Sequence, residues 1–160
     1  MTKKKQQLQN QRDKLRERVE ELVRIYQKVL ELDHWRIDLF FQKASQDDRA
    51  GECHPSFELQ WAKITFDLDH PEWNDPEFQH LFVIHELLHC VTAGWALEVE
   101  ENISNYVGEE LQDEVRRRTN RQEEVAVCAL ARIIHHLYRG VGEMGPESLP
   151  SELKRERSEN

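Results

Sequence analysis

The 160-residue chain reads as an α+β domain: a long N-terminal helix, a small and mostly antiparallel sheet with an edge strand, and two later helices. Three observations carry this reading. Apolar residues recur at helical spacing from Leu8 to Leu30. Two stretches, near residues 35–41 and 62–68, alternate apolar with polar as half-buried strands do. An apolar run, residues 81–91, then holds the pattern His85-Glu86-Leu87-Leu88-His89.

Composition sets outer bounds. The length suits one domain, expected over residues 1–139, and the hydrophobic fraction of 38% with no long apolar run predicts no membrane span. A formal charge of −9 argues against general affinity for nucleic-acid backbones, because such binding requires neutralising phosphates with lysine and arginine. The basic groups Lys3–Lys5, Arg116–Arg118 with Arg121, and Lys154–Arg157 read as solvated faces or tails. No apolar segment follows the basic start, so no secretory signal is expected and the location is expected to be cytoplasmic. Cys53, Cys90 and Cys128 form no C-x-x-C pair and read as reduced thiols, Cys90 and Cys128 as small buried residues.

Taken in order, Gln6 to Leu32 are strong helix formers with the stripe Leu8, Leu15, Val19, Leu22, Val23, Tyr26, Val29 and Leu30. The stripe thickens toward its end, so Leu15 onward is expected to pack on the domain while residues 1–14 project or fray. Self-association through this helix is the alternative. Trp35 to Phe41 form the first strand, and Lys43 to Pro55, with Asp47, Asp48, Gly51 and Pro55, read as a hairpin loop. Cys53 and His54 lie in that loop, too few donors for a second metal site. The strand phase flips near Trp61, which predicts a turn or bulge before the run Ala62–Leu68. Asn74-Asp75-Pro76-Glu77 is a helix start, with Asp75 as N-cap and Pro76 at the first helical position. After Trp95 the pattern becomes acidic and irregular, then helical again from about Gln122 to Leu137; residues 140–160, rich in glycine, proline and charge, read as a disordered tail.

The chemistry concentrates at His85, Glu86 and His89. Residues four apart lie on one helix face, so two imidazoles can converge on one cation, and a glutamate beside the first histidine is placed as general base toward a water rather than as a ligand. Ile84, Leu87, Leu88 and Val91 give the pair an apolar surround.

With this motif helix following strands and preceding another helix, the stretch Leu15 to Tyr138 resembles the zincin metallopeptidases. Thr92 and Trp95 stand where a metzincin has glycine and histidine, and no histidine follows His89 before His135, unlike SprT-like proteases. The run Glu124-Val125-Ala126-Val127-Cys128-Ala129-Leu130-Ala131 is similar to the glutamate helix of gluzincin-type proteins, in particular ImmA/IrrE-type and phage-encoded metallopeptidases. In those a ligand glutamate precedes apolar residues three, six, seven and ten positions on, which are Val127, Leu130, Ala131 and Ile134 counted from Glu124. Face geometry alone leaves Glu123 open as the alternative. Cys128 stands where some gluzincins carry an orienting Asp or Asn.

The resemblance implies one zinc ion per chain held by His85, His89 and Glu124, Glu86 as general base, and a peptide or protein substrate. It also implies that an extended peptide adds to the edge strand before the motif helix, by chain order Ala62–Leu68. Tyr106, His135 and Tyr138 are candidates for stabilising an oxyanion. Two other function classes remain: a non-catalytic zinc-stabilised interaction module, and a zinc hydrolase of a non-peptide amide.

Overall fold

The computed structural model describes residues 3–45 and 49–138, and the tail expected over 140–160 lies outside the described residues. Three helices and a three-stranded sheet make an α+β fold: α1 (Lys3–Val29), β1 (Arg36–Phe41), β2 (Gly51–Ser56), β3 (Trp61–Phe66), α2 (Pro76–Tyr106) and α3 (Glu109–Leu137), with a 3₁₀ turn at Pro71–Asn74.

Helix α1 buries Val19, Leu22, Val23 and Tyr26, one face at i, i+3, i+4 and i+7, while residues 5–11 are exposed. Its end is set by backbone geometry. Glu31 adopts a left-handed φ of 56°, Leu32 N–H returns 2.8 Å to the Gln27 carbonyl, and the Gln27 side chain donates to the carbonyls of Leu32 and Trp35. This is a helix stop of the kind glycine usually makes. A polar cluster fastens α1 to α2: Arg18 Nη2 stands 3.2 Å from His80 Nε2 and Tyr26 Oη 2.7 Å from His80 Nδ1. A guanidinium only donates, so Nε2 accepts and the Nδ1–H donates to Tyr26. Burial pushes the Tyr26 hydroxyl up to about 12, with Arg18 pulling the other way.

The sheet differs from the expected one in two respects. Its order is β1-β3-β2, with β1 parallel and β2 antiparallel to β3, so it is mixed, and β3 is its centre rather than its edge. The stretch Ala62–Leu68 was expected at the edge because it comes last before the motif helix. Burial explains the actual place: Ala62, Ile64, Thr65 and Phe66 are fully buried, as a strand covered on both faces must be. The edge near α2 is β2, within the stretch expected to be a hairpin loop. The sequence Gly51-Glu52-Cys53-His54-Pro55-Ser56 lacks strand formers and carries a proline, which only an edge tolerates. Phe57–Gln60 form the turn into β3, with Gln60 at φ 45° and its N–H on the Phe57 carbonyl.

Asp75 caps α2 by accepting from Glu77 N–H at 3.0 Å, with Pro76 first in the helix. Edge-to-face contacts among Phe66, Trp73 and Phe82 lock this entry to the sheet. Gly51 completes the fit, because a Cβ there would stand 2.5 Å from the Thr65 carbonyl and 2.9 Å from Phe82 Cε1. Where irregular sequence was expected after Trp95, α2 continues to Tyr106 and α3 starts at Glu109, well before Gln122. Only Ile103 is buried in the last two turns of α2, so the apolar period fades there. Arg116, with Nη2 2.7 Å from Glu100 Oε1, bridges the two helices instead. A stretch of α2 is long and apolar enough by composition to cross a membrane, contrary to the expectation of no such run, and its apolar face packs on β2, α1 and α3.

Candidate functional site

His85 and His89 fall on the third and fourth turns of α2, one above the other, and α3 runs back beside them. Their Nε2 atoms are 3.3 Å apart. Glu124 closes the triangle: Oε2 lies 3.4 Å from His85 Nε2 and Oε1 3.7 Å from His89 Nε2. The three side chains form a group able to hold a metal ion. Glu123, the alternative left open by face geometry, points to the outer side of the ring: its Oε1 is 3.6 Å from His89 Nδ1 and accepts from Thr92 Oγ1 at 2.7 Å. Cys128 Sγ lies 3.6 Å from His85 Nδ1, so it occupies the orienting place itself. Each imidazole thus has an outer partner at Nδ1 and turns Nε2 inward.

Glu86 is 3% exposed and its Oε2 has no hydrogen-bond partner among the described residues. Burial drives its carboxyl up to about 7, opposed by His85 and reinforced by Glu124. The His85 hydrogen bond holds Glu124 below the usual carboxylate range. For His85 burial disfavours the charge, yet Glu124 and Glu86 outweigh it and the net shift is upward. His89, under burial and the neighbouring His85, is shifted down.

These groups line a cleft of about 800 Å³ whose other wall is Arg49 and β2. The hydrogen bond from Asp67 N–H to the Ala50 carbonyl, 2.8 Å, fixes the phase of the β2–β3 ladder. Glu52, His54 and Ser56 therefore bond to β3, and the main-chain groups of Gly51, Cys53 and Pro55 face the open edge, Pro55 with a carbonyl alone. Cys53 and His54, as successive strand residues, point to opposite faces: Cys53 Sγ is 4.0 Å from Cys90 Sγ, and His54 Nε2 is 3.8 Å from Glu52 Oε1. They share no site. The Cys90 contact, with burial, pushes the Cys53 thiol far up.

None of the oxyanion candidates lines the cleft. Tyr106 is exposed at the end of α2, His135 is buried against His80, and Tyr138 follows α3. Among the described residues, the lysines and arginines that line it are Arg49 and Arg121, with Arg49 near enough to lower both Glu86 and Glu124. Sequence reasoning missed Arg49 because it lies in a stretch read as a loop, and it took Arg121 for part of a solvated face. No protein-family model matches the chain, and no curated protein or solved structure does either.

Proposed function

We propose that the chain is a zinc-dependent metallopeptidase of the zincin kind, in which His85, His89 and Glu124 would hold the ion and Glu86 is the general base. The observation that carries this is the convergence of two imidazole nitrogens and one carboxylate. Donors at about 2.0–2.1 Å from a tetrahedral zinc stand about 3.3–3.4 Å from one another; the two Nε2 atoms are 3.3 Å apart, and Glu124 brings Oε2 to 3.4 Å from that of His85 and Oε1 to 3.7 Å from that of His89. Two nitrogens and a carboxylate oxygen are also the donor types that catalytic zinc takes.

Zinc in such a set supplies Lewis acidity, polarising a carbonyl and lowering the pKa of a water. The remaining work belongs to side chains. Glu86, buried without a partner for Oε2 and with its carboxyl raised toward neutrality, takes the proton of the attacking water and returns it to the leaving amine. A purely structural site has no use for a buried, unpartnered carboxylate beside its ligands, and this favours catalysis over an interaction module. Glu123 and Cys128 orient the two rings. The open edge of β2, rather than β3, is where an extended peptide pairs, through the outward groups of Gly51 and Cys53.

The test is metal analysis together with a peptide-library digest of the wild-type protein and Glu86→Gln. Both are expected to carry about one zinc per chain, with cleavage reduced about 10²- to 10⁴-fold in the variant. A zinc-free wild type, or undiminished cleavage by Glu86→Gln, overturns the reading. Cleavage confined to non-peptide amides would keep the metal chemistry and replace the substrate.

A further inference from the structure

Past His89 along α2, a second hollow of about 370 Å³ adjoins the cleft, sharing Pro55, Ala93 and Ala96 with it and completed by Phe57 and Leu97. Most of its wall is apolar, with Ser56 and Glu58 also lining it, and part of it is not covered by the fold: Phe57 is 51% and Leu97 40% exposed. Phe57 is held there by a specific accommodation. A Cβ on Gly94 would stand 2.8 Å from Phe57 Cε2 and 3.0 Å from Cζ, so the glycine lets the ring lie flat on the helix. Glycine inside a helix is disfavoured relative to alanine, and the ring it admits stays half in solvent rather than joining the core. Ala93 and Ala96 keep the helix side of the hollow low.

We propose that this hollow is a specificity subsite for one large apolar side chain, of the leucine, methionine or phenylalanine class, on a peptide paired with the open edge of β2. The inference rests on the peptidase reading above. Its occupant follows from continuity: β2 ends at Ser56, Pro55 offers no outward N–H, and a paired peptide therefore leaves the strand where the hollow opens. An apolar side chain at that point covers surface that the chain itself leaves wet.

The probe is a set of Gly/Ser hexapeptides, blocked at both ends, with a single phenylalanine at each position in turn. Binding is measured to the Glu86→Gln protein, which retains the cleft without turnover. At one position phenylalanine should tighten binding by roughly 10-fold or more over the all-Gly/Ser peptide, the scale expected for burying such a side chain. Leu97→Trp, which fills the hollow at a residue that does not line the cleft, and Gly94→Ala, which displaces the Phe57 ring while favouring the helix, should each abolish that gain and leave the Gly/Ser peptide unaffected. No gain at any position, or a gain that survives both substitutions in folded protein, overturns the subsite. If the wild type binds the phenylalanine peptide with this preference but leaves it uncut under every metal condition, the peptidase reading falls and the subsite stands. Cleavage with no apolar preference gives the reverse.

Discussion

Glu123 and Glu124 are adjacent in sequence, yet they approach one imidazole from opposite sides: Glu123 Oε1 lies 3.6 Å from His89 Nδ1, and Glu124 Oε1 lies 3.7 Å from His89 Nε2. Consecutive helix residues are about 100° apart, enough for one carboxylate to face the inner nitrogen and the other the outer.

The two glutamates should therefore differ when removed. Glu124→Ala is expected to leave a largely zinc-free protein, like His85→Ala and His89→Ala. Glu123→Ala should still bind zinc, weakened about 10- to 100-fold, the usual cost of losing an orienting partner. Competitive titration with a chelator of known affinity measures both, and equal losses would contradict the division of labour.

Tyr26 gives a pH signature unrelated to the site. Its hydroxyl is raised from 10.0 to about 12. The folded state thus holds the proton more tightly than the unfolded one, so the associated stability is complete below pH 10 and is lost as the pH rises through about 12. Phenolate absorbance should show one of the three tyrosines ionising late. Tyr26→Phe should remove that step, and a late step that persists would assign it elsewhere.

Gly51→Ala should destabilise the fold by about 1–3 kcal/mol, the range for overpacking a tight contact. The clash involves the Thr65 main-chain carbonyl, which cannot swing aside as a side chain can. Denaturant unfolding of the two proteins gives the difference, and an unchanged midpoint would show that β2 can shift away from β3.

The three thiols should react unequally. Cys128 is exposed, Cys90 is buried, and Cys53 is held protonated by Cys90 and burial. An aromatic disulfide reagent should label one thiol per native chain quickly and three after denaturation, with Cys128→Ser removing the fast phase.

What the sequence disclosed follows from how local each signal is. The Asp75–Pro76 helix start and the motif turns are written in adjacent residues, and both are found as read. Glu124 lies beside the histidines in the register read for it, of which Val127 and Ala131 are buried, Ile134 is half-buried and Leu130 is 41% exposed. Sheet order was not reachable: whether Ala62–Leu68 is central depends on what covers its second face, and that is decided by distant chain. Strand β2 was hidden because an edge strand beside a cleft needs little β propensity, and its Gly51 and Pro55 read as loop residues. The first half of α3 was hidden for a related reason: it is carried by ion pairs such as Arg116 with Glu100, which leave no apolar period to detect.

His85, Glu86, His89, Glu123, Glu124 and Cys128 all belong to one pair of consecutive helices joined by Val107 and Gly108; β1, β2, β3 and α1 supply none of them. For the proposed metal site, the number of residues between Thr92 and Glu123 therefore matters as much as the donors themselves. One residue inserted there would rotate the far part of α3 by about 100° against α2, carrying Glu124 off the inner nitrogens. A single insertion in that stretch should abolish metal binding even though every donor side chain is still encoded.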